Sequence, residues 1–194
     1  MRTLITFMLL VLLAANLSAQ DDDKVLDNNT AFFEGANHSY IMTPPDNFVM
    51  VMEPAISDGY SFAFIPDGES YDSASVMIGI NIFSVKEKIR ESFSLEQLIM
   101  TDTSSIREHY GPTLVIEEVA PMVTKNQFTL RNIFLNDTTT FIPNVMFSYL
   151  DGGGEVLIFD LSISPDYPRF MAEQAYNECL NRLKVLVKGQ LDAG

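Results

Sequence analysis

Four apolar runs joined by very short connections constrain this chain more than any other feature. Residues 113–124, 127–135, 140–150 and 155–163 are rich in Val, Ile, Phe, Leu and Thr. Between them stand Lys125-Asn126, a segment opening with Asn136-Asp137, and Asp151-Gly152-Gly153-Gly154. Parallel neighbours need crossovers of a dozen or more residues, whereas antiparallel neighbours join through a few. An antiparallel meander is therefore predicted.

The last two runs predict how that sheet is covered. A turn centred on Gly152-Gly153 pairs Tyr149 with Val156, Phe147 with Ile158 and Val145 with Asp160. It sets Ser148 against Leu157 and Met146 against Phe159 on the opposite face. Side chains alternate across a strand, so apolar residues in both sets call for cover on both faces. The glycines also raise the question of a phosphate loop. They lack the G-x-x-x-x-G-K-[ST] and G-x-G-x-x-G spacings, and a strand follows them where a phosphate site needs a helix N-terminus. A tight turn using positive φ is the expectation.

Two helices can supply the cover. Ser94 and Gln97 form a capping box, with Phe93 and Leu98 at the staple positions. The stripe Leu98, Ile99, Ile106, Tyr110 ends at Gly111-Pro112. A second helix is predicted over residues 167–187, with the stripe Ala172, Ala175, Tyr176, Cys179, Leu180, Leu183, Leu186. Lys184 and Lys188 would complement its dipole and Gly189 would stop it. Upstream, Tyr60, Phe62, Phe64 and then Val76, Ile78, Ile80, Ile82 alternate as strands do, after an extended entry at Pro44-Pro45. The predicted class is α+β: an antiparallel meander sheet flanked by helices, an α/β/α sandwich.

The N-terminus predicts export. Arg2 precedes about a dozen nearly all apolar residues, and Leu17 and Ala19 stand at −3 and −1 of a cleavage before Gln20. That run is too short to span a bilayer, which takes about 20 residues. The predicted organisation is a signal peptide over residues 1–19, an acidic disordered leader over 20–38, one α+β domain over 39–189 and a tail over 190–194. The product would be periplasmic or secreted. Cys179 is the only cysteine, so neither a lipid anchor at the cleavage site nor an internal disulfide is expected. It is read as a small core residue.

The order of these elements resembles the PsbP-like family, whose antiparallel sheet between helices is shared with the Ran-binding Mog-type proteins. The likeness rests on "PPDNF", the capped "SLEQLIMTDTSSI", the hairpin "NVMFSYLDGGGEVLIFDLSIS" and the following "FMAEQAYNECLNRLKVL". It covers residues 39–189. The resemblance implies a mostly non-enzymatic role, as in photosystem accessory subunits, a nuclear-transport cofactor and exported bacterial proteins. It carries no site residue over.

Chemistry is sparse. A nucleophilic site needs nucleophile, base and orienting group in contact. The chain offers His38 in the predicted leader, His109 near a helix end and Cys179 in a core stripe, with no G-x-S-x-G elbow. No zinc spacing is present. Asp67, Glu69 and Asp72 read as a turn without calcium-loop order, and Asp21-Asp22-Asp23 as a solvated tail. Arg131, Asn132, Asn144 and Asp160 interrupt apolar strands. They are expected at solvent-facing edge positions, with an Arg131–Asp160 pair as the alternative. Asp72-Ser73-Ala74 and Asp137-Thr138-Thr139 match bacterial O-glycosylation triplets.

A net charge of −14 excludes a nucleic-acid partner, which needs clustered Lys and Arg, and disfavours an anionic membrane surface. No catalytic, cofactor-binding or metal-ligating residue is nominated, and no cofactor. The expected function is an exported, non-enzymatic binding or accessory domain that docks to another protein. The alternative, suggested by 14 Phe and 10 Met, is a carrier of a small apolar ligand.

Overall fold

A computed structural model describes residues 29–35, 38–85, 93–125, 127–137, 142 and 144–187 of the 194-residue chain. Strands β1 (Ala31–Glu34), β2 (His38–Met42) and β3 (Phe48–Val51) lead through helix α1 (Glu53–Ser57) to β4 (Phe62–Pro66) and β5 (Val76–Ser84). Helix α2 (Leu95–Tyr110) precedes β6 (Leu114–Val123), β7 (Thr129–Asp137), β8 (Asn144–Asp151) and β9 (Glu155–Ile163). Helix α3 (Arg169–Arg182) and β10 (Lys184–Val187) complete the described fold. A 7-stranded sheet has the order β3-β4-β5-β9-β8-β7-β6, and a 3-stranded sheet the order β1-β2-β10.

The predicted meander is present as β6 to β9, with every pairing antiparallel. Strand β9 then does something that turn lengths cannot announce. It also pairs with β5, from Val76 opposite Ile163 to Ser84 opposite Glu155, and so joins the β3-β4-β5 hairpins to the meander. Its own hairpin with β8 sits two residues from the predicted register: Tyr149 lies opposite Ile158 and Phe147 opposite Asp160. The Asp151 carboxylate accepts from the Gly153 N–H at 2.7 Å, and the Gly152 N–H donates to the Glu155 carbonyl at 2.8 Å. This Asx-type turn moves the hairpin centre one residue forward. Because side chains alternate with period 2, a two-residue shift leaves every face assignment intact.

Helices cover both faces as expected. The buried side of α3 (Ala172, Ala175, Tyr176, Cys179, Leu180) joins Ile78, Ile80, Leu157, Phe159 and Leu161 in the main core. On the other face, Ile99 of α2 packs with Ile133 and Tyr149. The capping box is present: the Gln97 N–H donates to Ser94 Oγ at 3.4 Å, and Gly111 closes the helix with φ 89°. The poor helix formers in its middle are accommodated because Thr101, Thr103, Ser104 and Ser105 donate to carbonyls one turn back.

Two expectations are corrected. The second helix stops at Arg182, and Leu183 turns extended (φ −58°, ψ 123°). Lys184 is thus a strand residue, not a dipole partner. Val185 pairs with Tyr40 and Lys184 with Ile41, so β-branched residues beside the open edge of β2 outweigh the helical stripe. The leader was expected to stay disordered to residue 38, yet Ala31–Glu34 form β1 against β2. The apolar Phe32 and Phe33 within that polar stretch give it a strand to offer. Residues 1–28 and 188–194 lie outside the described residues, and with them the signal peptide, Asp21-Asp22-Asp23, Lys188 and Gly189. Among the described residues no helix is long and apolar enough to cross a membrane.

Cys179 is 3% exposed on the core side of α3, and burial pushes its thiol up to about 12. A thiolate reagent such as DTNB at pH 8 is expected to leave the native protein unmodified and to titrate one thiol in guanidinium. Rapid labelling of the native protein would contradict this packing.

Candidate functional site

The polar exceptions in the strands gather at three places on the large sheet. Asn132 and Asp160 were expected at solvent-facing positions; both are buried, at 8% and 4% exposure. On the α3 face, the Tyr176 hydroxyl donates to the Phe159 carbonyl at 3.1 Å. Next in the same row, Ser148 Oγ donates to Asn132 Oδ1 at 2.7 Å. Asn132 Nδ2 in turn donates to the Ala120 carbonyl at 3.3 Å, where the β6 register shifts between Val119 and Met122. Asn132 is thus the group that satisfies the backbone of an edge-strand irregularity. The side chain of Asn144 lies outside the described residues.

The second place is Asp160, on the α2 face opposite Gly79. A Cβ on Gly79 would overlap the Tyr60 ring, so the missing side chain gives that ring its slot. The Tyr60 hydroxyl donates to Asp160 Oδ2 at 2.6 Å, and Ser162 bonds the same carboxylate. Desolvation raises Asp160 to about 7, against these two hydrogen bonds, which lower it. Arg131 does not meet it: it bridges Glu96 at 3.0 Å and Glu118 at 3.3 Å on the exposed side of α2 and β6. Nearby, Tyr149 bonds Asp102, whose carboxyl burial holds above its ordinary range.

The third place is the glycine turn. Glu155 is fully buried, and Tyr40 donates its hydroxyl to Oε1 at 2.7 Å. His38 Nδ1 lies 3.8 Å from the same oxygen and donates to the Gly152 carbonyl at 2.9 Å. His38 is therefore not a leader residue but the first residue of β2. A Cβ on Gly152 would strike the Tyr40 hydroxyl, and one on Gly35 would strike the Glu155 carboxylate. Only Gly153 of the run has positive φ, 75°. Here the small sheet, the β8–β9 turn and the β6–β7 turn meet around a cavity of about 220 Å³ lined by His38, Tyr40, Phe128, Leu150, Gly152 and Val185, among others.

The remaining candidates stand apart. His109 is exposed at the end of α2, edge-on to Tyr110 at 4.8 Å. Glu69 accepts from the Ser75 N–H and hydroxyl at 2.5 and 2.8 Å, so the Asp67–Asp72 stretch is a turn that binds itself. Among the described residues no group of three or more His, Cys, Asp or Glu could hold a metal ion. Asp72-Ser73-Ala74 follows Tyr71 at a single 3-10 turn (Tyr71–Ser73), while Thr138 and Thr139 lie outside the described residues.

No family model matches the sequence, and no curated protein sequence does. The solution structure of cyanobacterial PsbP (CyanoP) from Synechocystis sp. PCC 6803 aligns with a TM-score of 0.51 over 86% of this chain and 98% of that chain. The fold is PsbP-like. At 9% identity the likeness is one of fold and brings no functional residue with it.

Sequence reasoning noticed Asp160 but neither Glu155 nor its partners. Tyr40 and Glu155 are separated by 115 residues, and Tyr60 and Asp160 by 100. The one available signal was a carboxylate directly ahead of the apolar run Val156 to Phe159.

Two outcomes follow from these contacts. The folded-state pKa of Asp160 lies above the unfolded value of about 3.9, so between about pH 4 and about pH 7 the folded state holds the proton more tightly. The stability contributed by this protonation therefore falls as pH rises through that window and levels off above it. Asp160→Asn, whose amide oxygen can still accept from Tyr60, is expected to lose that component; identical denaturation curves against pH for both proteins would refute it. Gly152→Ala meets the Tyr40 hydroxyl and is expected to cost about 2–3 kcal/mol, against about 1 kcal/mol for Gly68→Ala, where an added Cβ meets nothing within 4 Å and only the positive φ of 84° opposes it. A reversed order in urea denaturation would remove the packing role assigned to Gly152.

Proposed function

We propose that the chain is an exported, non-enzymatic accessory domain that docks on another protein outside the cytoplasm. One observation carries this reading. On the α3 face, Val115 and Val119 of β6 are 40% and 42% exposed and flank Glu117, which stands opposite Phe134. The Arg169 guanidinium lies 3.8 Å over the Phe134 ring. The next two residues of α3, Phe170 and Met171, are 69% and 45% exposed, Phe170 being the most exposed large apolar side chain among the described residues. Apolar and aromatic groups with one arginine, on an otherwise acidic protein, have the composition of an interface centre.

Two further facts support it. The groups best able to do chemistry are occupied: Cys179 is buried, His38 is tied to the glycine turn, and Glu155 and Asp160 are sealed by tyrosines. The PsbP-like fold is compatible with an accessory role, and residues 1–19 have the layout of a signal peptide.

The test is crosslinking in the native envelope with tagged full-length chain. Wild type is expected to yield a defined covalent partner, and Phe170→Ser with Met171→Ser to lose it while keeping the thermal midpoint within a few degrees. The same partner from both proteins would move the interface elsewhere, and none from either would sink the docking reading.

A further inference from the structure

The geometry points to a binding site for a small aromatic amine in the cavity beneath the glycine turn, a place separate from the docking face and independent of that reading. The cavity measures about 220 Å³. An engineered apolar cavity of about 150 Å³ is known to hold benzene, so this one takes a single ring with a short side chain. Its walls are apolar: Phe128 from the β6–β7 turn, Leu150 from β8, Val185 from β10 and the Tyr40 ring from β2. Four separate stretches of chain converge to build it, and tight packing around Gly152 sets its floor.

The polar groups at the cavity have one character. His38 uses Nδ1 to donate to the Gly152 carbonyl, so the neutral imidazole keeps only the acceptor Nε2. Asp151 lines the cavity as a carboxylate, and Glu155 lies buried beneath, within 3.8 Å of His38. Among the described residues no Lys or Arg lines it. An occupant must therefore bring an apolar ring and a hydrogen-bond donor, and positive charge favours it. A ring bearing a carboxylate meets acidic side chains instead, Asp151 at the wall and Glu155 beneath it. The charge of −14 over the whole chain acts in the same direction.

The experiment is an amide NMR titration of the chain at pH 8, using phenethylamine, tyramine and phenylacetate as probes. Saturable shifts are expected at His38, Gly152 and Gly153 with the two amines. A ligand of this size supports a Kd of about 1 mM or tighter, and phenylacetate should bind at least tenfold more weakly. Val185→Phe fills the space and should abolish the shifts. Because that change also touches the β2–β10 pairing, Asp151→Asn serves as the second variant. Its amide oxygen can still accept from Gly153, and it should weaken amine binding about fivefold while the spectrum stays folded. Absence of saturable shifts in the wild type, shifts centred elsewhere, equal binding of phenylacetate, or amine binding unchanged in Asp151→Asn would each overturn the assignment.

Discussion

The pairing of β9 with β5 is the constraint on which the rest of the structure depends. Nine residue pairs, from Val76 opposite Ile163 to Ser84 opposite Glu155, connect segments some 70 to 90 positions apart. Without it the chain would hold two separate hairpin systems, each with an open edge. With it, β9 becomes the central strand of seven, hydrogen-bonded on both sides and largely buried on both faces. Closing so long a loop costs entropy that local contacts cannot offset. The pair therefore needs strong specification, and its apolar ladder of Ile78 with Leu161, Ile80 with Phe159 and Ile82 with Leu157 provides that.

A central strand of this kind has no room for an unpartnered charge, yet β9 carries Glu155 and Asp160. Each is met by a tyrosine from the N-terminal third: Tyr40 at Glu155 and Tyr60 at Asp160. Both hydroxyls donate, and each is placed by a missing side chain, Gly152 beside Tyr40 and Gly79 beside Tyr60. A slip of one residue in β9 would turn these carboxylates toward the opposite face, into aliphatic surroundings, at a cost of several kcal/mol apiece. The buried acids thus act as registration marks. They discriminate the observed pairing from its neighbours more sharply than the apolar ladder, which tolerates exchange of one branched side chain for another.

What could be read in advance follows the range of each interaction. The capped helix beginning after Ser94, the four-strand meander and the two-faced hairpin are written in adjacent residues, through capping, alternation and turn length. The β8–β9 register was misplaced by two, because the Asp151 side chain chose the turn centre. Period 2 made that error harmless to the faces. The failures were nonlocal. Residues 184–187 continue a helical stripe by every local measure and become β10 because β2 offers an edge. Residues 31–34 sit in a polar leader and become β1 for the same reason. Glu155 reads only as the first residue of a strand until Tyr40 arrives from 115 positions away. The glycine run was legible as a turn but not as a socket, since nothing in "DGGG" shows which glycine carries the φ and which yields space.

The open surfaces follow from simple geometry. Seven strands about 4.8 Å apart make a sheet about 30 Å wide, and a helix with its side chains is about 10 Å across. Among the described residues one long helix per face leaves more than half of each face to other cover. On the α3 side the small sheet contributes Tyr40 and Met42 to the core, and the opposite edge keeps Val115 and Val119 exposed beside the start of α3. On the α2 side, Tyr60 lies across Gly79 and Asp160 beyond the helix's own cluster of Ile99, Ile133 and Tyr149. A larger helix layer would close these gaps. Phe170 and Met171 follow directly on the arginine that caps Phe134 at one of them, and apolar surface left in water costs about 25 cal/mol for each Å². That cost is recovered when something covers the surface, which is the physical ground for the proposed docking role.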